Sequence, residues 1–435
     1  MSEERYLGSG AEASDLSGPT GPVPAHLPQR LAITLWDFSW YTRAGEGEPY
    51  ADLDAACADA AALGYNAIRI CAAPLLLGGV LGLDDLATSL EIEGLGATPL
   101  GGYYGQRTRW YDTPGGYTVD LRARLVELFD AARRHGMVVI LASWEYQQSP
   151  AFAASSRWFE AIDAVPLTER YRVLAESWDS VIGLITETGH RDTIAMVELH
   201  NEVDFSILPA LSEGMDDLSA LRDRHSDLLV TASYGKPPHL AMHTVPRGLG
   251  AAQFHVYSYG VLDELQTLLD IRSEGQEGFP NAHLAAMLRE DAPGLAAYGR
   301  AAEWKYRATV VTDQMFYGYD WLDPDLWDRW LYTEYGRYHQ VMLREIESRV
   351  VAIAAWARAA ALPLVVGEGW VGYTPLNGTF EEGPIGRALA EHGIRAALAN
   401  GAWGVVLCSD AAPHHPMWQL RDWQARMNAE ITATA

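Results

Sequence analysis

Glu202 and Glu368 are the residues from which the chemistry of this chain can be read. Glu202 closes Ala195-Met-Val-Glu-Leu-His-Asn-Glu202, an apolar run that turns polar at its C-terminal end. Glu368 closes a second such run, Pro363-Leu-Val-Val-Gly-Glu368. An isolated strand does not bury that much polarity without partners. A strand whose C-terminal end opens into a barrel mouth does. Two carboxyls brought together there, one protonated and one ionised, can protonate a leaving oxygen while attacking, or activating water at, the carbon it leaves. Hydrolysis of a glycosidic bond is the reaction this pairing serves, with the carboxyls roughly 5–5.5 Å apart if configuration is retained. Arg69, near the end of Asn66-Ala-Ile-Arg-Ile-Cys71, is the cation that could keep Glu368 ionised, since an arginine at a strand end needs an anion. Period-two alternation places Glu198, His200 and Glu202 on one face of a short strand, with Glu198 in a buried supporting role.

Eight apolar runs are available to position these groups. Residues 31–36 read as strand one, ending at Asp37 and the aromatics Phe38, Trp40 and Tyr41. Residues 66–71 form strand two, and 137–141 strand three, which leads to Trp144, Glu145 and Tyr146. The run from Ala195 is strand four. Residues 227–231, 252–257, the run from Leu364 and 404–408 follow as strands five to eight, the last ending at Asp410. Helical patterns at 52–63, 117–135, about 168–188, about 336–361 and the C-terminus separate them, with Gly64 and Gly136 as stops. Strands alternating with helices imply an α/β fold, a (β/α)8 TIM barrel, with residues 31–435 as one domain. Two connections are too long for simple alternation: 72–116 after strand two, and an insert at about 258–335 after strand six. Both are rich in Trp and Tyr, and loops of that length with that composition read as functional. Trp327 and Trp330, spaced i, i+3, read as packing residues. Residues 1–30, rich in Gly, Pro and Ser, are expected to be a flexible segment and lack a signal-peptide pattern.

A net charge of −25 argues against nucleic acid and anionic membrane surfaces. No run approaches 18 consecutive apolar residues, so no membrane span is expected. Cys57, Cys71 and Cys408 are odd in number, lie among apolar residues and match no zinc spacing or disulfide framework. His239, His243, His255, His414 and His415 could suggest a metal, but their spacing makes no convincing helical ligand pair, and packing or surface roles are favoured. Neither a metal nor a cofactor is therefore expected, and the features together point to a reducing cytoplasm. The expected partner is a small saccharide or glycoside, with a homo-oligomer left open.

Four motifs, in the right order on the right strands, resemble those of clan A glycoside hydrolases, and the cellulase-like enzymes of family five in particular. Glu198-Leu-His-Asn-Glu202 resembles the strand-four motif whose Asn-Glu pair supplies the acid/base. Asn66-Ala-Ile-Arg69 resembles the strand-two segment whose arginine supports the nucleophile, His255-Val-Tyr257 the strand-six motif, and Val366-Gly-Glu368 the strand-seven nucleophile. The resemblance implies Glu202 as acid/base and Glu368 as nucleophile. It further implies that Asn201 binds a sugar 2-hydroxyl, that Tyr257 hydrogen-bonds the nucleophile and that His255 lines the site. The chain departs from the family after strand three, where Ser143-Trp144-Glu145 stands in place of a histidine. It departs again at strand eight, where Cys408, Ser409 and Asp410 replace a tryptophan. Trp370 is expected to take over the missing aromatic role, with Trp144 as a second sugar platform and Asp37, Glu145 and Asp410 as candidates for binding sugar hydroxyls. The long loops suggest a closed pocket and exo-action on short oligosaccharides or glycosides. The alternative is a barrel that binds carbohydrate without cleaving it; a metal-dependent isomerase finds no ligand set.

Overall fold

The apolar, β-branched runs of the sequence become eight parallel strands buried on both faces, as strands covered by helices must be. They are Leu31–Asp37, Ala67–Cys71, Val138–Ala142, Ile194–Glu198, the split pair Val230–Thr231 and Ser233–Tyr234, Ala252–Ser258, Leu364–Val371 and Gly404–Val406. This computed structural model describes residues 18–272, 277–372 and 375–433.

The fifth strand closes the ring. Its first piece pairs with strand four, matching Glu198 to Thr231, and its second piece pairs with strand six, matching Ser233 to Gln253. Strand one pairs with strands two and eight, so the order runs continuously around a (β/α)8 barrel. The break at Ala232 turns Ser233 towards the C-terminal rim. There its hydroxyl accepts from the Glu202 amide at 3.0 Å and its carbonyl from the Val203 amide at 3.0 Å.

Helix boundaries follow caps more closely than periodicity. The helix expected at 117–135 starts only at Leu121 and runs to Arg134, because Asp120 caps it by accepting from the Ala123 amide. Tyr117–Val119, with two β-branched residues, instead pairs antiparallel with Leu90–Ile92. The helix expected at 336–361 begins earlier, at Pro324, with Asp323 as N-cap and proline in the first turn, and runs to Ala360. Trp327 lies fully buried on it, a packing residue as expected. Of the N-terminal segment, residues 18–30 are seated on the barrel: the Thr20 hydroxyl donates to the Leu362 carbonyl and accepts from the Leu364 amide. Residues 1–17 lie outside the described residues. No helix among the described residues is long and apolar enough to cross a membrane, and the three cysteines are free and buried.

The two long connections meet over the barrel mouth. Asp320, on the insert helix Asp313–Trp321, is buried and accepts from the amides of Gly105 and Arg107 at 2.8 and 2.9 Å and from the Tyr298 hydroxyl at 2.7 Å. Burial lifts its carboxyl to about 6. The 72–116 loop also reaches the segment after strand seven, where Arg109 donates to Glu382 and to the Gly378 carbonyl. Asp320→Ala is expected to lower stability by about 3 kcal/mol, since two backbone amides and a phenol lose their acceptor inside the protein. Urea unfolding alongside limited proteolysis near residues 100–110 reads both the global loss and the freed loop.

Candidate active site

Arg69 is the hub of the C-terminal rim. Fully buried on strand two, it spends its donors on three partners. Nε and Nη2 clasp Glu198 at 2.8 and 2.7 Å, Nη2 also reaches Asn201 Oδ1 at 2.6 Å, and Nη1 holds Glu368 Oε1 at 2.7 Å. Gln253 completes Glu198 from strand six at 2.9 Å. Such a bidentate clasp fixes the guanidinium plane, so that its remaining edge presents one donor to Glu368. The second oxygen of Glu368 accepts from the Tyr257 hydroxyl at 2.9 Å, and Tyr257 in turn contacts Ser409 Oγ at 2.6 Å.

Glu202 stands opposite. Its backbone φ of +45° is unusual for a side-chain-bearing residue and is held by Ser233 and by Asp204, whose carboxylate accepts from the Gly235 and Lys236 amides. Gly235 is required here, because a Cβ would lie 2.4 Å from the Glu202 carboxyl. Oε2 accepts from Gln147 Nε2 at 3.0 Å, and Oε1 lies 2.8 Å from His255 Nδ1. Gln147 is itself oriented by the Asn201 amide at 2.9 Å, which couples the two carboxyls through Arg69, Asn201 and Gln147. Donor atoms of Glu202, His255 and Glu368 all fall within 4.8 Å of one another.

Burial pushes the Glu202 carboxyl up to about 7, with the charges of Asp204 and Glu198 adding to it, while Gln147 and Arg69 pull against the rise. Burial likewise drives His255 down to about 4, so its ring is neutral and its Nδ1–H donates to Glu202 once that carboxyl ionises. One carboxyl thus keeps its proton to neutral pH, while the other faces a permanent cation. The same trio is the one group among the described residues whose donors converge closely enough to hold a metal ion.

A pocket of about 510 Å³ opens above the pair, bordered by Asp37, Trp144, Asn201, Glu202, Tyr257 and Glu368. Eight of the expected site residues meet here, since Arg69 and His255 reach its carboxyls from beneath. Asp37 has φ +42° and a buried oxygen with no hydrogen-bond partner, 3.7 Å from His414 Nε2; burial, with the charge of Glu368 adding, raises it to about 8, so it enters the pocket protonated. Trp144 lies over the Arg69 guanidinium, 4.6 Å from ring centroid to Cζ.

Three expected ligands do not reach the pocket. Trp370 is fully buried behind strand seven, donating to the Val406 carbonyl at 3.4 Å and packing on Gly393, where a Cβ would come within 2.1 Å of the indole. Glu145 turns away to cap the short helix Pro74–Leu77, accepting from the amides of Leu75 and Leu76 at 3.0 Å each, and from Ser143 and Trp158. Asp410 lies in a separate cluster with Arg109, Glu381 and His415. His200 also leaves the face that alternation assigned to it: strand four ends at Glu198, and His200 accepts from the Tyr146 amide at 3.1 Å. Of the remaining histidines, His415 is buried and His414 half-buried, their rings tilted by 42° with centroids 4.0 Å apart.

Sequence reasoning missed Gln147, Gln148, Trp110, Tyr259 and Phe38. Trp110 belongs to the loop whose length and aromatic content were already a signal, and Tyr259 follows the His255-Val-Tyr257 motif by two residues. Nothing in the sequence distinguished the two glutamines.

A closed parallel barrel with two carboxyls so near each other on its C-terminal rim, one of them clasped by a buried arginine, defines the glycoside-hydrolase barrels. Residues 33–208 and 299–432, more than half of the chain, match the model of the cellulase-like family, described as sugar-binding cellulase-like. The chain belongs to that family, and the protein is a glycoside hydrolase of cellulase-like type. A crystal structure of a candidate glycoside hydrolase from Parabacteroides distasonis is similar over 93% of this chain and 94% of its own, at 19% identity and a TM-score of 0.64. The family 5 mannosidase of Rhizomucor miehei covers 96% of this chain and 98% of its own at 12% identity and a TM-score of 0.46. The exo-β-1,4-mannosidase of Opitutaceae bacterium strain TAV5 covers 94% of this chain and 57% of its own at 13% identity and a TM-score of 0.43. A search of curated proteins returns no match.

Proposed function

We propose that the protein is a retaining, exo-acting glycosidase that removes a β-linked sugar from a short oligosaccharide or glycoside, working in the cytoplasm. The observation that carries this reading is the approach of the Glu202 and Glu368 carboxyls, with donor atoms within 4.8 Å across the pocket. That separation suits direct attack by one carboxylate; an inverting enzyme needs roughly 6.5–9.5 Å to seat a water between them. In the proposed cycle Glu368, oriented by Arg69 and Tyr257, attacks the anomeric carbon while Glu202 protonates the departing oxygen. Glu202, now anionic, takes a proton from water, which displaces Glu368 and releases the sugar with its original configuration. Asn201 and the protonated Asp37 are placed to hold sugar hydroxyls. Exo-action is supported by the joined loops: the 72–116 connection contacts both the insert and the segment after strand seven, as a wall across one end of the site would.

The test is the configuration of the first product, followed by proton NMR during hydrolysis of a 4-nitrophenyl donor found by screening β-gluco, galacto, manno, xylo, fuco and arabinofuranosyl derivatives. Initial release of the inverted anomer would refute double displacement. Saccharide that raises the melting temperature without any turnover would favour a binding barrel instead.

The pH profile is expected to follow Glu202. Its carboxyl is protonated, and competent as acid, below about 7, so kcat/KM should fall tenfold per unit above that value. Asp204→Asn removes a charge that raises this group and should shift the basic limb to lower pH. An unmoved limb would assign it to another residue.

A further inference from the structure

A second chamber, of about 1740 Å³, shares Gln148, Glu202, Tyr257 and Tyr259 with the catalytic pocket. Because Glu202 lines both spaces, a group that it protonates would leave through this chamber. Its far wall comes from the insert and the long helix Pro324–Ala360 and carries an aliphatic patch, Val310, Val311, Met315 and Val341, set among Thr312, Tyr338, Glu345 and Arg349; Phe205 also lines the chamber. Phe205, Val310 and Val341 are 50%, 46% and 59% exposed, three large apolar side chains left to water around one cavity. Exposed apolar surface gathered in this way marks a binding surface. Part of the polar lining is already satisfied: Ser258 donates to Glu345 at 2.8 Å and Arg349 pairs with Glu345 at 2.6 Å.

We infer that this chamber is the leaving-group site and that it takes an apolar aglycone, an alkyl, terpenoid or aryl alcohol, in preference to a further sugar. The inference rests on the glycosidase reading above. The tyrosines and polar groups near Glu202 could serve either kind of leaving group, but the outer patch of valine and methionine offers a sugar no hydrogen-bond partners, and hydroxyls buried against it lose their water. A hydrocarbon aglycone gains from the same surface in proportion to the area it covers.

The experiment compares methyl and octyl β-D-glucopyranosides and mannopyranosides, below their micelle-forming concentrations, on the wild type and on the Val310→Asp and Val341→Asp variants. The two alcohols leave with similar intrinsic ease, so the octyl-to-methyl ratio of kcat/KM reads the chamber alone. A ratio of tenfold or more in the wild type, collapsing towards one in the variants, is expected. Equal rates for the two glycosides, or a ratio untouched by either aspartate, would overturn the inference while leaving the glycosidase reading in place. Absence of hydrolysis with every sugar would overturn that reading instead. Calorimetry on the same proteins then decides the chamber separately: octyl glycosides binding at least tenfold more tightly than methyl support it, and equal affinities overturn it.

Discussion

Glu368→Gln is expected to lower turnover of every donor by at least ~10⁴-fold, about 5.5 kcal/mol of transition-state stabilisation, with the melting temperature almost unchanged. The amide is nearly isosteric. Its carbonyl can keep accepting from Arg69, and Tyr257 retains Ser409 as a partner. What it loses is the charge and the nucleophilic oxygen that form the glycosyl-enzyme. Turnover within tenfold of wild type would remove Glu368 from the nucleophile role. Azide added to smaller variants separates the two carboxyls further. In Glu368→Gly the anion attacks the anomeric carbon directly and should give a glycosyl azide of inverted configuration. In Glu202→Ala it attacks the covalent intermediate and should give one of retained configuration. Products of the opposite sense would exchange the two roles.

Arg69→Met is expected to abolish activity and to cost about 3–5 kcal/mol of stability, the range for removing one partner of a buried ion pair. Arg69 is fully buried and supplies four hydrogen bonds to Glu198, Asn201 and Glu368. Without it, Glu198 keeps only Gln253 and Glu368 keeps only Tyr257. The double variant Arg69→Met with Glu198→Gln should recover part of the stability, because one stranded charge is gone, yet none of the activity. Urea unfolding of the two single variants and the double variant gives the coupling directly. A loss below about 1 kcal/mol in Arg69→Met would contradict the geometry of the clasp.

The placement of Glu145 and Trp370 shows where local pattern loses its grip. Glu145 lies three residues beyond an apolar strand and Trp370 two beyond an assigned catalytic group, where pattern treats every polar or aromatic side chain as a candidate ligand. Glu145 lies past the last ladder bond of strand three, where the backbone is free to turn and the nearest unsatisfied group decides the direction, whereas Trp370 stays in the strand-seven ladder opposite Tyr257 and is turned outward by packing. Two orphan amides at the start of Pro74–Leu77 draw Glu145 away from the pocket. A space kept open by Gly393 receives the Trp370 indole.

The sequence by itself determined the barrel and the paired glutamates with their arginine, and its resemblance to the family added the tyrosine. Runs of apolar residues ending in charge have few ways to be satisfied, and a strand opening at a barrel rim is the one that repeats eight times. Only the tertiary structure decided which strand-end groups face the sugar, that Gln147 and Asn201 couple the carboxyls, and that Gly235 leaves room for Glu202. Those outcomes depend on contacts between residues far apart in the chain, where a break at Ala232 or a single missing Cβ sets positions that no local periodicity encodes.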